Sequence, residues 1–179
     1  MKTYLMLIAS GLAAGSPAGA AVKSSTPSGF EVETKVIVAA SPAQAYAMLG
    51  RIGEWWSPAH SYSGKAANLS LGLKASDCFC EKLDDGGTVE HMRVVYARPG
   101  SALRLQGGLG PLQAEGVSGT LSWALKPVAG GTEITQTYVV GGYIRMGADK
   151  LAQPVDNVLA EQLQRFRQRL IDKSVSSRD

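Results

Sequence analysis

The sequence predicts an α+β fold in which an antiparallel sheet packs against one long helix and leaves a cavity between them. Two observations lead to this prediction. Six strand-like runs separated by glycine-rich turns occupy residues 66–140, and one long amphipathic segment follows from about Ala148. A curved sheet that ends in a single long helix can wrap around that helix, because each element buries its apolar face against the other. The space between them suits a small molecule.

The elements follow from local patterns. Residues 30–38 alternate between apolar and polar side chains, which predicts a half-buried first strand. Ser41-Pro42 supplies an N-cap and a first-turn proline, so a short helix is expected to run to about Gly50. A further helical turn is expected over residues 52–56. Later strands are predicted at residues 66–71, 76–83, 88–98, 102–107, 115–128 and 132–140. The closing helix has an apolar stripe at helical spacing, formed by Leu151, Val155, Val158, Leu159, Leu163, Phe166 and Leu170.

The first 20 residues are predicted to be a signal peptide. Lys2 gives a positive start, residues 5–12 are apolar, and Ala18-Gly19-Ala20 is typical of a cleavage site. The apolar stretch is shorter than the ~20 residues that a bilayer requires, so we expect no stable membrane insertion after cleavage. The expected divisions are a signal peptide at 1–20, a polar linker at 21–29, one domain at 30–173 and a frayed tail at 174–179. The mature protein would be secreted, with a periplasm as the expected location.

Charge and cysteine content exclude several classes of partner. The formal net charge is +3, and one unit of it belongs to Lys2. The basic residues near the C-terminus are not accompanied by stacking aromatics or a groove-reading motif, so no nucleic-acid partner is indicated. Cys78 and Cys80 are interpreted as free thiols, because side chains two residues apart on a strand run parallel and a disulfide between them would be strained. An oxidising compartment makes such a bond conceivable. With only two histidines, the sequence indicates no metal site and no cofactor.

Turn positions predict which side chains face the cavity. Centring the turns on Asp85-Gly86 and Pro99-Gly100 divides the strands into two faces. The inner face is expected to hold the apolar set Phe79, Leu83, Met92, Val94, Tyr96, Leu103 and Leu105. The outer face is expected to hold Cys78, Cys80, Lys82, His91, Arg93, Arg104 and Gln106. Cys80 then lies beside His91, a pair that can form a thiolate nucleophile, but on this outer face an ordinary solvated arrangement is expected.

The same register places Glu81 directly opposite Glu90 on the inner face. Their Cβ atoms would lie about 5 Å apart, so the pKa of one carboxyl should be raised. Such a pair could act as general acid and base, with Tyr138 or Tyr96 assisting. The alternatives are that both carboxylates are solvated at the sheet rim, or that a bulge shifts the register and turns them outward.

Further cavity residues are predicted from the aromatic stretch at residues 54–62 and from the last hairpin. Gln136 is a buried amide that needs a partner, which a ligand, water or Tyr138 could supply. The predicted ligand-binding residues are Trp55, Trp56, His60, Tyr62, Phe79, Met92, Tyr96, Leu103, Trp123, Gln136, Tyr138, Leu159 and Leu163.

Several short motifs resemble those of a known superfamily. They are the strand that begins at Phe30, the Ala40-Ser41-Pro42 helix start, the Trp55-Trp56 pair, the turn at residues 94–100 and the closing helix. Together they resemble the START-related (SRPBCC) superfamily, near its polyketide cyclase/dehydrase and heat-shock-ATPase-activator-like branches. The resemblance implies a helix-grip fold: a seven-stranded antiparallel sheet around a long C-terminal helix, with two short helices after strand 1 and a hydrophobic cavity. The ligand set of the iron–sulfur branch is absent.

Three functions are compatible with the sequence. The first is an exported protein that binds a small hydrophobic ligand such as a lipid, a sterol or an aromatic polyketide. The second is a cyclase or dehydratase that uses Glu81 and Glu90. The third is an envelope interaction module that docks a partner through the basic helix face formed by Arg165, Arg167, Arg169 and Lys173. The sequence does not indicate an oligomeric state.

Overall fold

The computed structural model describes residues 21–176, which form an eight-stranded antiparallel sheet and a long closing helix. The strands are β1 (Ala21–Thr26), β2 (Gly29–Val38), β3 (Leu69–Leu71), β4 (Cys78–Lys82), β5 (Thr88–Arg98), β6 (Ala102–Gln106), β7 (Gly116–Val128) and β8 (Gly131–Tyr143). The helices are α1 (Pro42–Leu49) and α2 (Ala148–Ser176), with single 3₁₀ turns at Ile52–Glu54, Pro58–His60, Ala66–Asn68 and Gly110–Ala114. The order across the sheet is β1-β2-β8-β7-β6-β5-β4-β3. The predicted α+β helix-grip architecture is confirmed.

Helix α1 begins where the sequence places its cap. The Gln44 amide N–H donates to Ser41 Oγ over 3.3 Å, and the Ser41 N–H donates to Gln44 Oε1 over 2.9 Å. This reciprocal capping box satisfies two backbone donors, and such a cap stabilises a helix by about 1 kcal/mol. Pro42 occupies the first turn, where its missing N–H costs nothing. The short helix that follows the first long strand is therefore fixed locally.

Helix α2 packs across the inner face of the sheet. Leu159, Leu163 and Phe166 are buried, and the Phe166 ring contacts Trp55 edge-on with centroids 5.2 Å apart. Gln136 of β8 ties the helix to the sheet, because its Nε2 donates to the Leu159 carbonyl over 2.9 Å. No helix within residues 21–176 combines the length and apolar character needed to cross a membrane.

The strand count and the linker differ from the prediction. Residues 21–29 were expected to be a linker, but Ala21–Thr26 pairs with β2 as an edge strand and makes eight strands rather than seven. Most of β1 is exposed, so its side chains need not be apolar. Its sequence therefore lacks the apolar alternation that predicts a strand. Helix α2 extends to Ser176, into the predicted frayed tail. The predicted signal peptide and residues 177–179 lie outside the described residues.

Two β-bulges change which side chains of β5 face inward. Phe79 pairs with Met92 but Cys80 pairs with Glu90, so His91 is an extra residue on β5. Val95 is a second extra residue, between the pairs Val94–Leu105 and Tyr96–Arg104. Side chains along a strand alternate between the two faces of the sheet. Each extra residue therefore reverses which of the following residues, odd- or even-numbered, point inward.

Cys78 and Cys80 form a disulfide, which corrects the prediction of free thiols. Their Cα atoms are 5.4 Å apart, whereas two residues of a regular strand advance about 6.7 Å. Strand β4 is therefore contracted here, and the separation falls within the range that a disulfide can bridge. The contracted residues lie directly opposite the His91 bulge of β5.

We expect the disulfide to contribute little to global stability. It closes a loop of only three residues, for which the chain-entropy relation gives about 1.5 kcal/mol. A Cys78→Ser/Cys80→Ser variant should therefore unfold in urea with a free energy of unfolding lower by about that amount. Dithiothreitol should lower the stability of the wild type similarly and leave the variant unchanged. A loss several times larger would show that the disulfide maintains the sheet itself.

Candidate functional site

A cavity of about 470 Å³ lies between the sheet and the N-terminal half of α2. Two loops complete its wall, one at residues 56–62 and one at residues 109–111. The lining residues are Trp56, Ala59, His60, Ser61, Tyr62, Phe79, His91, Leu109, Gly110, Pro111, Leu151, Pro154, Val155, Val158 and Leu159. The volume is within the range of about 300–1,000 Å³ that is typical of small-molecule sites, and most of the wall is apolar.

Contacts of Trp56 and Ser57 anchor the start of the 56–62 loop. Trp56 is buried, its indole N–H donates to the His60 carbonyl over 2.9 Å, and its ring lies 5.3 Å from Phe79. The Ser57 backbone N–H donates to Gln162 Oε1 on α2 over 2.7 Å. These contacts fix the indole of Trp56 as a rigid part of the cavity wall.

The carboxylate of Glu81 lies beneath this loop and is fully buried. Its Oε1 accepts the backbone N–H of Ser63 over 2.6 Å, and its Oε2 accepts that of Tyr62 over 3.1 Å. His91 Nε2 lies 2.9 Å from the same Oε2. Both carboxylate oxygens therefore act as acceptors, which is the arrangement that suits the ionised form.

The surroundings set the protonation states of Glu81 and His91. Burial raises the pKa of Glu81, but the hydrogen bonds from Ser63, Tyr62 and His91 outweigh it and hold the pKa below its usual value. Burial lowers the pKa of His91 and exceeds the opposing effect of the Glu81 charge. At neutral pH the pair is thus a carboxylate beside a neutral imidazole. Nε2 must carry the imidazole proton to donate to Glu81, so Nδ1 is left as the basic nitrogen.

His91 is oriented toward the cavity by its neighbours. Its ring lies 4.7 Å from the Phe79 ring and 5.8 Å from the Tyr62 ring, and it is a lining residue. Within residues 21–173, Nε2 is the only ring nitrogen of His91 that makes a hydrogen bond. The cavity wall therefore presents one buried, oriented hydrogen-bond acceptor.

The opposite loop is anchored by Tyr138. Its hydroxyl donates to the Gly107 carbonyl and accepts the Leu109 N–H, each over 3.1 Å. Burial raises the pKa of Tyr138 to about 12. Gly107 has a φ of +151°, and a Cβ there would lie 2.6 Å from the His91 carbonyl oxygen, so only glycine fits beside the bulge. Tyr138 is thus a structural anchor and does not line the cavity.

Two contacts join elements around the cavity mouth. The Tyr62 hydroxyl lies 3.1 Å from the Gly110 carbonyl oxygen and so connects the two loops. His60 Nε2 lies 3.3 Å from Glu161 Oε2 on α2. Both contacts are at exposed side chains, where such interactions contribute at most about 1 kcal/mol each.

Five of the predicted ligand-binding residues line the cavity. They are Trp56, His60, Tyr62, Phe79 and Leu159. The structure buries most of the others in the core outside the cavity wall, namely Trp55, Met92, Leu103, Trp123, Gln136, Tyr138 and Leu163. Gln136 has its partners within the protein, because it accepts the Trp123 indole N–H over 2.8 Å and donates to α2.

The predicted pairing of Glu81 with Glu90 is wrong. Glu81 pairs with Val89, and Glu90 is exposed and forms a salt bridge with Arg93. The hairpin closes one residue away from the turn-based register, and the His91 bulge restores that register only from Phe79–Met92 onward. The same bulge places His91 inside, although it was expected on the outer face.

Tyr96 is a second correction. The Val95 bulge turns its side chain outward, where it is 42% exposed and the Arg104 guanidinium lies 5.6 Å from its ring centroid. It therefore cannot assist at the cavity. The predicted pair Cys80–His91 is also absent, since Cys80 pairs with Glu90 and is oxidised.

Several lining residues were missed by the sequence reasoning. His91 is the most important, and its available signal was Gly107, whose freedom of backbone conformation permits the bulge opposite. The 109–111 loop has the sequence Leu-Gly-Pro and shows no periodicity that would place it near a cavity. Within residues 21–176, no three His, Cys, Asp or Glu side chains are grouped closely enough to hold a metal ion.

The sheet that grips α2 and the mostly apolar cavity define a helix-grip protein with a small-molecule site. The sequence profile of the polyketide cyclase/dehydrase and lipid transport family matches residues 29–174, and the chain belongs to that family. The resemblance inferred from the motifs is thus confirmed. A search of curated proteins found no match for the chain.

Solved structures share the fold at low sequence identity. A protein from Mesorhizobium loti superposes with a TM-score of 0.57 at 15% identity, over 80% of this chain and 97% of its own. The Aha1 dimer from Colwellia psychrerythraea gives 0.54 at 17%, over 78% and 95%. The di-domain ARO/CYC StfQ from the steffimycin biosynthetic pathway gives 0.56 at 14%, over 83% of this chain and 52% of StfQ. At these identities the similarity establishes the fold alone.

We expect Glu81 and Glu90 to respond very differently to the same substitution. Glu81→Gln leaves a buried N–H donor facing an amide NH₂ group and removes the charge that His91 contacts. The free energy of unfolding should fall by about 3 kcal/mol, as when one partner of a buried pair is removed. Glu90→Gln breaks only a surface pair and should cost less than about 1 kcal/mol. Urea denaturation measures both, and equal losses would contradict the buried carboxylate.

Stability should also depend on pH through His91. Its pKa in the folded protein lies below the ordinary 6.5, so the unfolded chain binds the proton first as the pH falls. The free energy of unfolding should therefore fall as the pH drops below about 6.5 and level off at the folded-state pKa. The loss is at most about 1.4 kcal/mol per pH unit. Denaturation midpoints from pH 7.5 to 5 should show a shallower slope in His91→Gln, and identical slopes would exclude a buried neutral imidazole.

Proposed function

We propose that this protein is exported and binds a small, mainly apolar ligand in the cavity, with one hydroxyl or enol group of the ligand donating to His91 Nδ1. The observation that carries the proposal is the buried, oriented acceptor of His91 in a largely apolar wall. An apolar body gains free energy from burial, and a donor group is needed because an unsatisfied buried nitrogen is costly. Lipids, sterols and aromatic polyketides with a free hydroxyl all have this chemistry.

Membership of the polyketide cyclase/dehydrase and lipid transport family supports a ligand of this class. The Cys78–Cys80 disulfide supports export, because disulfides persist mainly in oxidising compartments such as a periplasm. The predicted signal peptide at residues 1–20 is consistent with the same location.

The docking role of the basic helix face receives no such support. Arg165 Nε donates to the Trp55 carbonyl over 3.0 Å, and Arg169 and Lys173 both pair with Glu54. These cations attach α2 to the segment after α1. Their clustering thus has a structural explanation within the domain.

Ligand binding is tested with 2-naphthol, a planar apolar probe that carries one hydroxyl donor. Titration calorimetry should show that it binds more tightly than 2-methoxynaphthalene, which has the same body but no donor. His91→Phe should abolish this preference, because it removes the acceptor and keeps an aromatic ring. One hydrogen bond of ordinary strength corresponds to a preference of about tenfold.

Blocking the cavity provides the matched control. Val158→Trp places an indole into the lining, whereas Val139→Trp makes the same change on the outer face of β8, where Val139 is 47% exposed. Only the first variant should lose 2-naphthol binding. Native mass spectrometry of the protein purified from its own envelope should show a retained ligand. Equal binding by both variants would overturn the proposed site.

A further inference from the structure

We propose that the cavity is also a catalytic site, in which His91 removes a proton from a carbon atom of the bound molecule and Glu81 is the positioning residue. This inference rests on the proposed binding function and adds a reaction to it. A histidine that serves only as a ligand contact needs one nitrogen free to hydrogen-bond. His91 has in addition a buried carboxylate on its other nitrogen and a ring held between aromatic neighbours.

The first argument is geometric. A general base needs a fixed ring, a fixed tautomer and an open basic nitrogen. Phe79 and Tyr62 flank the His91 ring, and Glu81 fixes the proton on Nε2 at 2.9 Å. Nδ1 makes no hydrogen bond within residues 21–173, and the residue lines the cavity. All three requirements are met by the same side chain.

The second argument is electrostatic. When Nδ1 accepts a proton, the ring becomes an imidazolium in an apolar environment, which is unfavourable without a nearby negative charge. The Glu81 carboxylate supplies that charge, and the backbone N–H groups of Tyr62 and Ser63 keep it ionised and fixed. The same carboxylate thus orients the neutral base and stabilises its protonated form, as a buried acid does for a catalytic histidine in other enzymes.

Keeping Glu81 buried is costly for the fold, which favours a functional explanation. Desolvating a carboxylate costs several kcal/mol, and apolar replacements of buried ion pairs are often as stable or more so. Glu81 offsets part of this cost by accepting the Tyr62 and Ser63 N–H groups, but holding the loop does not require a charge directed at a histidine. The retained charge is directed at one imidazole, and that imidazole lines the cavity.

The cavity wall also restricts the substrate class. No Lys or Arg lines the cavity, and no cluster able to hold a metal ion exists among the described residues. With no cationic side chain in the wall, a carbanion formed there depends mainly on its own conjugation. The class that fits is an apolar carbon acid whose anion is delocalised, such as a 1,3-dicarbonyl compound attached to a planar body. The C–H proton passes to Nδ1, the electron pair of that bond becomes the enolate, and the reverse transfer regenerates the base.

The test uses 5-nitrobenzisoxazole, a planar carbon acid of suitable size. His91 Nδ1 would take the ring C–H proton, the C–H electron pair would complete the nitrile, and the N–O bond would break to release a coloured phenolate. No oxidant, reductant or second substrate is needed. The wild-type protein should accelerate this elimination, and His91→Gln should reduce kcat/KM by at least 100-fold, the usual contribution of a positioned base. Bound 2-naphthol should inhibit the reaction competitively.

Variants of the acid separate positioning from simple structure. Glu81→Gln should lower kcat about tenfold or more, and Glu81→Asp should recover part of the loss because the charge returns. Glu90→Gln, the same substitution on the exposed face of the neighbouring strand, should leave the rate unchanged. The rate should rise with pH to a plateau, with a midpoint below the ordinary 6.5 of a histidine, because burial lowers the pKa of His91. The groups that face His91 are Glu81 on β4 and Tyr62 on the loop, while α2 contributes apolar residues to the cavity wall. In Glu81→Gln the midpoint of this profile should move to lower pH, because the imidazolium loses its counter-charge.

Equal elimination rates in the wild type and His91→Gln, with 2-naphthol binding intact in the wild type, would overturn the catalytic proposal and leave the binding function standing. If the wild type does not bind 2-naphthol, the binding function itself is refuted. If His91→Gln does not fold, Val158→Trp tests the catalytic proposal instead, because this substitution closes the cavity and keeps the His91–Glu81 pair. Elimination by that variant at the wild-type rate would also overturn the proposal.

Discussion

The buried carboxylate of Glu81 is the interaction on which the site depends. An ionised group in an apolar interior is tolerated only when its oxygens are paired. Its donors are the backbone of Tyr62 and Ser63 and the ring of His91. One side chain therefore joins the loop that covers the cavity to two strands of the sheet. It fixes the Tyr62 end of the loop and the tautomer of the imidazole.

A local irregularity of the sheet makes this pairing possible. In a regular ladder, His91 and Met92 would point to opposite faces, and one of them would be solvated. The bulge lets both point inward, and Gly107 provides the space beside it. Opposite the bulge, the Cys78–Cys80 disulfide contracts β4, so two steps of β4 face three steps of β5. Bulges frequently re-aim a side chain beside a functional site, and this bulge does so for the histidine of the cavity.

These features explain why the fold was predictable and the site largely was not. The apolar alternation of the strands and the α2 stripe extend over long segments, so they survive small local errors. The register of β4 and β5 depends on where one hairpin closes and on one extra residue. Those two deviations cancel at Phe79–Met92 but not at Glu81. A register shift of one residue decides whether Glu81 faces Glu90, as predicted, or contacts His91, as observed. The periodic pattern of apolar residues does not reveal such a shift.

The distinction between carriage and catalysis in this fold therefore depends on very few side chains. The apolar wall serves either function, since it supplies binding free energy to any molecule that fits. Shared architecture at 14–17% identity shows how α2 and the sheet are arranged and leaves the chemistry to the individual site. In this chain the proposed chemistry is concentrated at His91, whose tautomer is set by Glu81 and whose ring is flanked by Phe79 and Tyr62. Glu81 holds the loop in a carrier as well as in an enzyme, but only a base must also be stabilised by a nearby negative charge after it accepts a proton. The presence of that charge is what favours a reaction at this cavity.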